Sequence, residues 1–185
     1  MPAGSIVRYY GGRLFMAHGR QLVFSQPLRP GLYNPAEDYF LYPEEISVVE
    51  PVEDGVFVVA DRTYFLRGRE MDQLSQTDIL PIGAVPGTGL PVDGKKFDLK
   101  EPISTEAAFW FSDRGAVLGA AGGRVVQLME NRAEPGEHES GTSYFIERDG
   151  SRMVGSVLSK PGPTSGFVAT DSATAVIRRN GVIIG

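Results

Sequence analysis

The densest group of potential ligands in the chain is Glu134, Glu137, His138 and Glu139, within the segment "RAEPGEHESG". Carboxylates beside an imidazole can hold a divalent cation. Neighbours on one loop do not by themselves fix a coordination geometry, and no second histidine lies near in sequence. A solvated acidic loop is therefore the expectation, and no metal is assigned. The other histidine, His18, falls in a predicted hairpin turn with its ring in solvent. Nucleophilic catalysis needs a hydroxyl held against a base and an orienting acid. No G-x-S-x-G elbow occurs, and Ser143 in "GTSYF" and Ser165 in "PTSGF" flank predicted strands. Gly87 and Gly89 in "PGTGLP" lack the third glycine of a phosphate loop, and Gly94-Lys95-Lys96 lacks the preceding one. The acid pairs Glu37-Asp38, Glu44-Glu45 and Glu53-Asp54 are sequence neighbours, which on a strand point to opposite faces and not across a cleft. No catalytic residue and no cofactor are assigned.

Recognition is the remaining kind of chemistry. The segment from Pro27 to Pro43, "PLRPGLYNPAEDYFLYP", joins two strand-rich regions with three tyrosines, a phenylalanine and four prolines. Tyr and Arg are the residue types that anchor interfaces. Arg29, Tyr33 and Tyr42 are the candidate contact surface. The competing expectation is that Tyr39, Phe40 and Tyr42 cover the core. Trp110, in "AFWFS", alternates with Phe109 and Phe111, so both faces of that strand are apolar and it should be buried on both sides.

Bulk properties narrow the field. The chain has 185 residues, a net charge of −5 and no cysteine. That charge argues against nucleic acid as a partner, because phosphate neutralisation needs a basic excess. The lack of cysteine excludes disulfides, thiolate metal sites and cysteine nucleophiles. No apolar run approaches the roughly 18 residues of a membrane span. The start "MPAGSIVRYYGG" lacks the order of a signal peptide. A soluble, cytoplasmic protein is the default expectation.

Helical periodicity is nearly absent. Runs rich in Val, Ile, Phe and Tyr recur between Gly, Pro, Asp and Asn, which is the signature of strands. In the first unit "SIVRYY", "RLFMA" and "QLVFS" are separated by turns at Gly11-Gly12 and His18-Gly19-Arg20. The second repeats the pattern with "ISVVEPV", "VFVVA" and "TYFLRG", and the third with "EAAFWF", "AVLGAA" and "RVVQLM". Gly12, Gly55 and Gly115 are the anchor glycines, and each is expected to supply the positive φ of a hairpin turn. "PGTGLPVDGKKFDLKEP" reads as an inserted loop. A fourth unit holds "SYFIE" and "SRMVGSVLS" before a long strand and the apolar tail "VIIG". The tail is expected to pair with the N-terminal strand or with another chain.

The fold expected is therefore all-β: one repeat domain over 1–185, with blade-like units at about 4–27, 45–85, 104–130 and 142–185. Three to four propeller-like antiparallel blades, as an incomplete ring, are preferred, with a β-sandwich as the alternative. Self-association is expected of such a chain.

Three phrases in order carry a resemblance: "YYGGRLFMAHGRQLVFSQPLRPGLYNPAEDYFLYPEEISVVEPVEDGVFVVADRTYFLRG", "GAVPGT" and "AAFWFSDRGAVLGAAGGRVVQL". Together, over roughly residues 4–130, they resemble β-propeller-like virion proteins of tailed bacteriophages and prophages, from the tail or head–tail junction. Members of that family are usually longer, so the chain looks like a later part or a shortened form. The resemblance implies a non-enzymatic structural or attachment role. It also implies contacts with other virion proteins or a host surface molecule, and residence in the bacterial cytoplasm and then in the virion. The alternative function is a glycan-binding or glycan-cleaving propeller, which needs a pocket with aromatic platforms and converging carboxylates.

Overall fold

The computed structural model describes residues 2–68, 74–97, 99, 101–128, 139–148, 151–159, 172–178 and 181–184. The chain is all-β, as its sequence implied, and forms four antiparallel sheets of four strands each. Each sheet is a meander of consecutive strands. The first holds β1 (Ile6–Tyr10), β2 (Arg13–His18), β3 (Gln21–Phe24) and β4 (Tyr39–Leu41). The second holds β5 (Val48–Val52), β6 (Gly55–Val59), β7 (Thr63–Arg67) and β8 (Ser75–Leu80). The third is built from β9 (Leu90–Asp93), β10 (Glu106–Ser112), β11 (Gly115–Ala120) and β12 (Arg124–Gln127). The fourth comprises β13 (Ser140–Arg148), β14 (Ser151–Ser159), β15 (Ser172–Arg178) and β16 (Gly181–Ile184). No helix among the described residues is long and apolar enough to cross a membrane.

Alternation along the strands gives each sheet two apolar faces, and the sheets stack in chain order to bury them. Tyr10, Phe15, Ala17, Leu22 and Phe24 of the first sheet meet Val49, Val56, Val58, Tyr64 and Leu66 of the second. The opposite face of the second sheet, with Val48, Val52, Phe57, Val59 and Phe65, meets Ala108, Trp110 and Val117 of the third. Phe109, Phe111 and Leu118 then face Val154 and Leu158 of the fourth. Adjacent sheets touch through their first two strands: β1 beside β5, β5 beside β10 and β9, and β9 beside β13.

Trp110 is fully buried, with its ring 5.3 Å from that of Phe57. Phe109 and Phe111 point the other way, as alternation predicted. Gly119 lies against this pair, and a Cβ there would fall 2.6 Å from Phe57 and 2.8 Å from Trp110. Among the anchor glycines, Gly12 and Gly115 do adopt positive φ, at 82° and 103°. Gly55 is not among the positive-φ glycines. Its reason is space: a Cβ there would be 2.4 Å from both the Leu66 carbonyl oxygen and the Phe65 ring.

Three strand assignments change. The contact segment contributes β4 to the first sheet, and the apparent inserted loop contributes β9 to the third. "EAAFWF" is consequently the second strand of its sheet, so the Gly115 turn is not the counterpart of the Gly12 turn. The tail does not pair with the N-terminal strand: β16 pairs with β15, with Ile177 opposite Val182.

Candidate functional site

Two regions offer chemistry to a partner. The first is the connection between β3 and β4. Its backbone is closed on itself, with the Gln26 amide donating to the Leu32 carbonyl at 2.8 Å and the Leu32 amide to the Arg29 carbonyl at 3.0 Å. The Leu28 amide reaches across to the Gly12 carbonyl at 2.7 Å. A second turn is organised by Asp38, which is buried and accepts from the Asn34 amide at 2.6 Å. Asn34 in turn accepts from the Ala36 amide and donates to Glu37. The acid pair Glu37-Asp38 thus has a structural task.

This ordered loop displays apolar groups to solvent. Leu28 is 80% exposed and has φ of 57°, the left-handed region that branched side chains avoid. Leu32 is 47% exposed, Arg29 is exposed and Tyr33 is half-buried. Tyr42 does not join them, which corrects the expectation of a three-residue surface. Its ring is buried against Tyr64, with centroids 4.9 Å apart. Burial, with Tyr64 beside it, pushes the Tyr42 hydroxyl well above its ordinary value. That ring belongs to the core between the first two sheets, because the segment after β4 turns inward there: the Tyr42 amide donates to the Arg20 carbonyl and the Ile46 amide to the Gly19 carbonyl. Tyr39 is exposed and Phe40 packs against the same core.

The second region is a cleft of about 680 Å³ where the leading strands end. It is lined by Arg8 and Tyr9 of β1, Glu50 of β5, Glu53 of the following turn, Asp93 of β9 and Glu106 of β10. Glu50 is fully buried, and Arg8 grips it with two hydrogen bonds, Nε to Oε2 at 3.0 Å and Nη2 to Oε1 at 2.5 Å. Burial pushes the Glu50 carboxyl above its ordinary value, and the guanidinium pulls it back without offsetting this. Arg8 is itself held more firmly protonated, chiefly by its hydrogen bond to Glu50. Tyr9, 63% exposed, lies at the cleft edge with its side chain on the opposite face of β1 from Arg8.

Sequence reasoning passed over Arg8 and Glu50. The available signal was a lone acid inside the apolar run "ISVVEPV", which needs a cationic partner once buried. His18 ends β2, exposed, with Nδ1 donating to the Ala3 carbonyl at 2.6 Å. Asp54 accepts from the Gly122 amide at 2.8 Å, tying the second sheet to the third. Among the described residues, no three His, Asp or Glu side chains gather as a metal site. His138, Glu134 and Glu137 lie outside the described residues, as does Ser165.

Comparison of the sequence with models of known protein families gives no match, and comparison with curated proteins gives none either.

Proposed function

We propose that this chain is a non-enzymatic structural or attachment component of a tailed-phage or prophage virion, its four sheets being propeller-like blades. It works by presenting surfaces in fixed positions to other virion proteins or to a host surface molecule. The observation that carries this reading is the β3–β4 connection. Its backbone hydrogen bonds hold Leu28, Arg29 and Leu32 outward in one arrangement, with Leu28 in a costly backbone region. Strain of that kind marks binding sites more often than plain linkers, and a contact surface ordered in advance loses little entropy when it binds. The resemblance of the ordered phrases to virion propellers adds support from the sequence.

Particles purified after induction of the prophage test it. The chain is expected in them at a fixed stoichiometry by mass spectrometry, and Leu28→Glu with Arg29→Glu should lower its incorporation at unchanged thermal stability. Particles free of the chain would overturn the reading.

A glycan-binding role is the second reading, favoured by the cleft, where Arg8 stands beside Glu53, Asp93 and Glu106. Acceptors flanking a cationic donor suit sugar hydroxyls. A glycan array with Glu106→Ala as control, together with a hydrolysis screen, separates the two.

A further inference from the structure

The first sheet has an outer face that no other sheet covers among the described residues. The register brings Val7, Met16, Val23 and Tyr39 into one row across it, with Tyr9 and Leu14 paired beside them and Leu41 at the margin. Val7 is 45% exposed, Tyr9 63%, Tyr39 39% and Leu41 61%, while Val23 in the middle of the row is buried at 3%. The stack ends at the other side in a second such face, described on β13 and β14. On the fourth sheet Val154 and Leu158 turn inward, while Tyr144, Ile146, Met153 and Val157 occupy the opposite face. Ile146 is 43% exposed there, and Tyr144, Met153 and Val157 are partly so.

Within the chain, three successive interfaces each join one face of a sheet to the oppositely directed face of the next. The two faces left over are therefore the two halves of one more interface of the same kind. They sit on opposite ends of one molecule, so joining them between molecules is a head-to-tail contact, which closes when the rotation per unit allows. Adjacent sheets touch through their first two strands, β1 with β5, β5 with β10 and β9, and β9 with β13. Two chains of four sheets make eight, within the range of about four to eight blades over which propeller rings close.

We propose that two copies of this chain associate head to tail, the outer face of the first sheet of each seated on the outer face of the fourth sheet of the other. The occupant of the Val7–Met16–Val23–Tyr39 face is thus Tyr144, Ile146, Met153 and Val157 of a second copy. Contiguous exposed apolar groups on a soluble domain mark interaction sites. The association stands whether or not the chain is a virion component.

The test uses the full chain in solution. Sedimentation should give about twice the mass of one 20.0 kDa chain. Leu41→Glu on the first sheet and Ile146→Glu on the fourth alter side chains already in solvent, so both variants should keep the far-ultraviolet spectrum of the parent. Ile146→Glu should weaken association by about 100-fold, the effect of a charge forced into an interface core, and Leu41→Glu, at the margin, by about 10-fold. Since the chain has no cysteine, Val7→Cys and Ile146→Cys can be introduced singly and mixed with a short thiol cross-linker. The mixed pair should link faster than either variant with itself. A parent chain that sediments as a monomer, an Ile146→Glu variant that still dimerises, or Val7→Cys linking preferentially to itself would each overturn the proposal.

Discussion

The two faces of the first sheet are built from similar side chains and meet different surroundings. Phe15 and Leu22 face the second sheet and are 1% and 0% exposed, while Val7, Tyr9 and Leu41 on the other face stand 45%, 63% and 61% in solvent. Strand alternation puts apolar groups on both faces in either case. What separates them is whether the chain itself supplies a next sheet. An apolar face is thus a demand for a neighbour, and the molecule meets that demand three times along its stack.

Substitution tests this contrast most directly. Phe15→Ala should cost about 4 kcal/mol in chemical denaturation, since it empties a filled core. Tyr9→Ala should cost less than about 0.5 kcal/mol at low protein concentration, with a larger loss at concentrations where copies associate. Equal costs at low concentration would erase the distinction between the faces.

A smaller effect is expected at the cleft. Arg8→Met strands the buried Glu50 carboxylate and should cost about 3 kcal/mol near neutral pH. A carboxyl whose native value is raised binds extra protons when folded, so its contribution to stability falls as pH rises from the ordinary carboxylate range through the raised value. The penalty of Arg8→Met should therefore shrink on acidification, as Glu50 takes a proton. Glu147 has the opposite sign. Lys96, with Arg152 beside it, holds its carboxyl below the ordinary value, so its contribution is present above the usual range and is lost as pH falls through the lowered one. Denaturation curves across that range check both signs, and an Arg8→Met penalty that does not change with pH would break the first.

Next in size is the seam between the third and fourth sheets. Thr88 is fully buried; its hydroxyl oxygen accepts from the Phe111 amide at 3.1 Å, and its own carbonyl accepts from Ser143 at 2.6 Å. Thr88→Val removes the Phe111 partner at nearly constant volume and should cost about 2 kcal/mol. The smallest effect is expected at the contact loop. Leu28→Gly should leave stability within about 0.5 kcal/mol, because relief of left-handed strain offsets the greater freedom of the unfolded chain. Incorporation into particles should nevertheless fall. A marked loss of stability would make Leu28 a packing residue instead of a contact.

The fold was more legible than the surfaces. "VFVVA" and "TYFLRG" could only be strands, and the double burial around Trp110 followed from three consecutive aromatics. β9 was hidden because Pro91 and Asp93 are turn formers, and only pairing with Ala108 and Glu106 makes them a strand. β4 was hidden for a similar reason, since three residues among prolines give no periodicity. At the contact region, Arg29 and Tyr33 were read as surface, while the inward path of Tyr42 depends on Tyr64, which lies 22 positions further along the chain. The Arg8–Glu50 pair spans 42 positions and left no local trace beyond an acid among valines.

Because every sheet is made from consecutive strands, the molecule can be completed in the order in which it is translated. The first sheet ends at Leu41 and the second at Leu80. At the usual elongation of about 5–20 residues per second, the Phe15 and Leu22 side would wait roughly 2–8 s on the ribosome before its cover is synthesised. Chaperone capture of nascent chains should peak in that interval and fall away once the second meander has emerged.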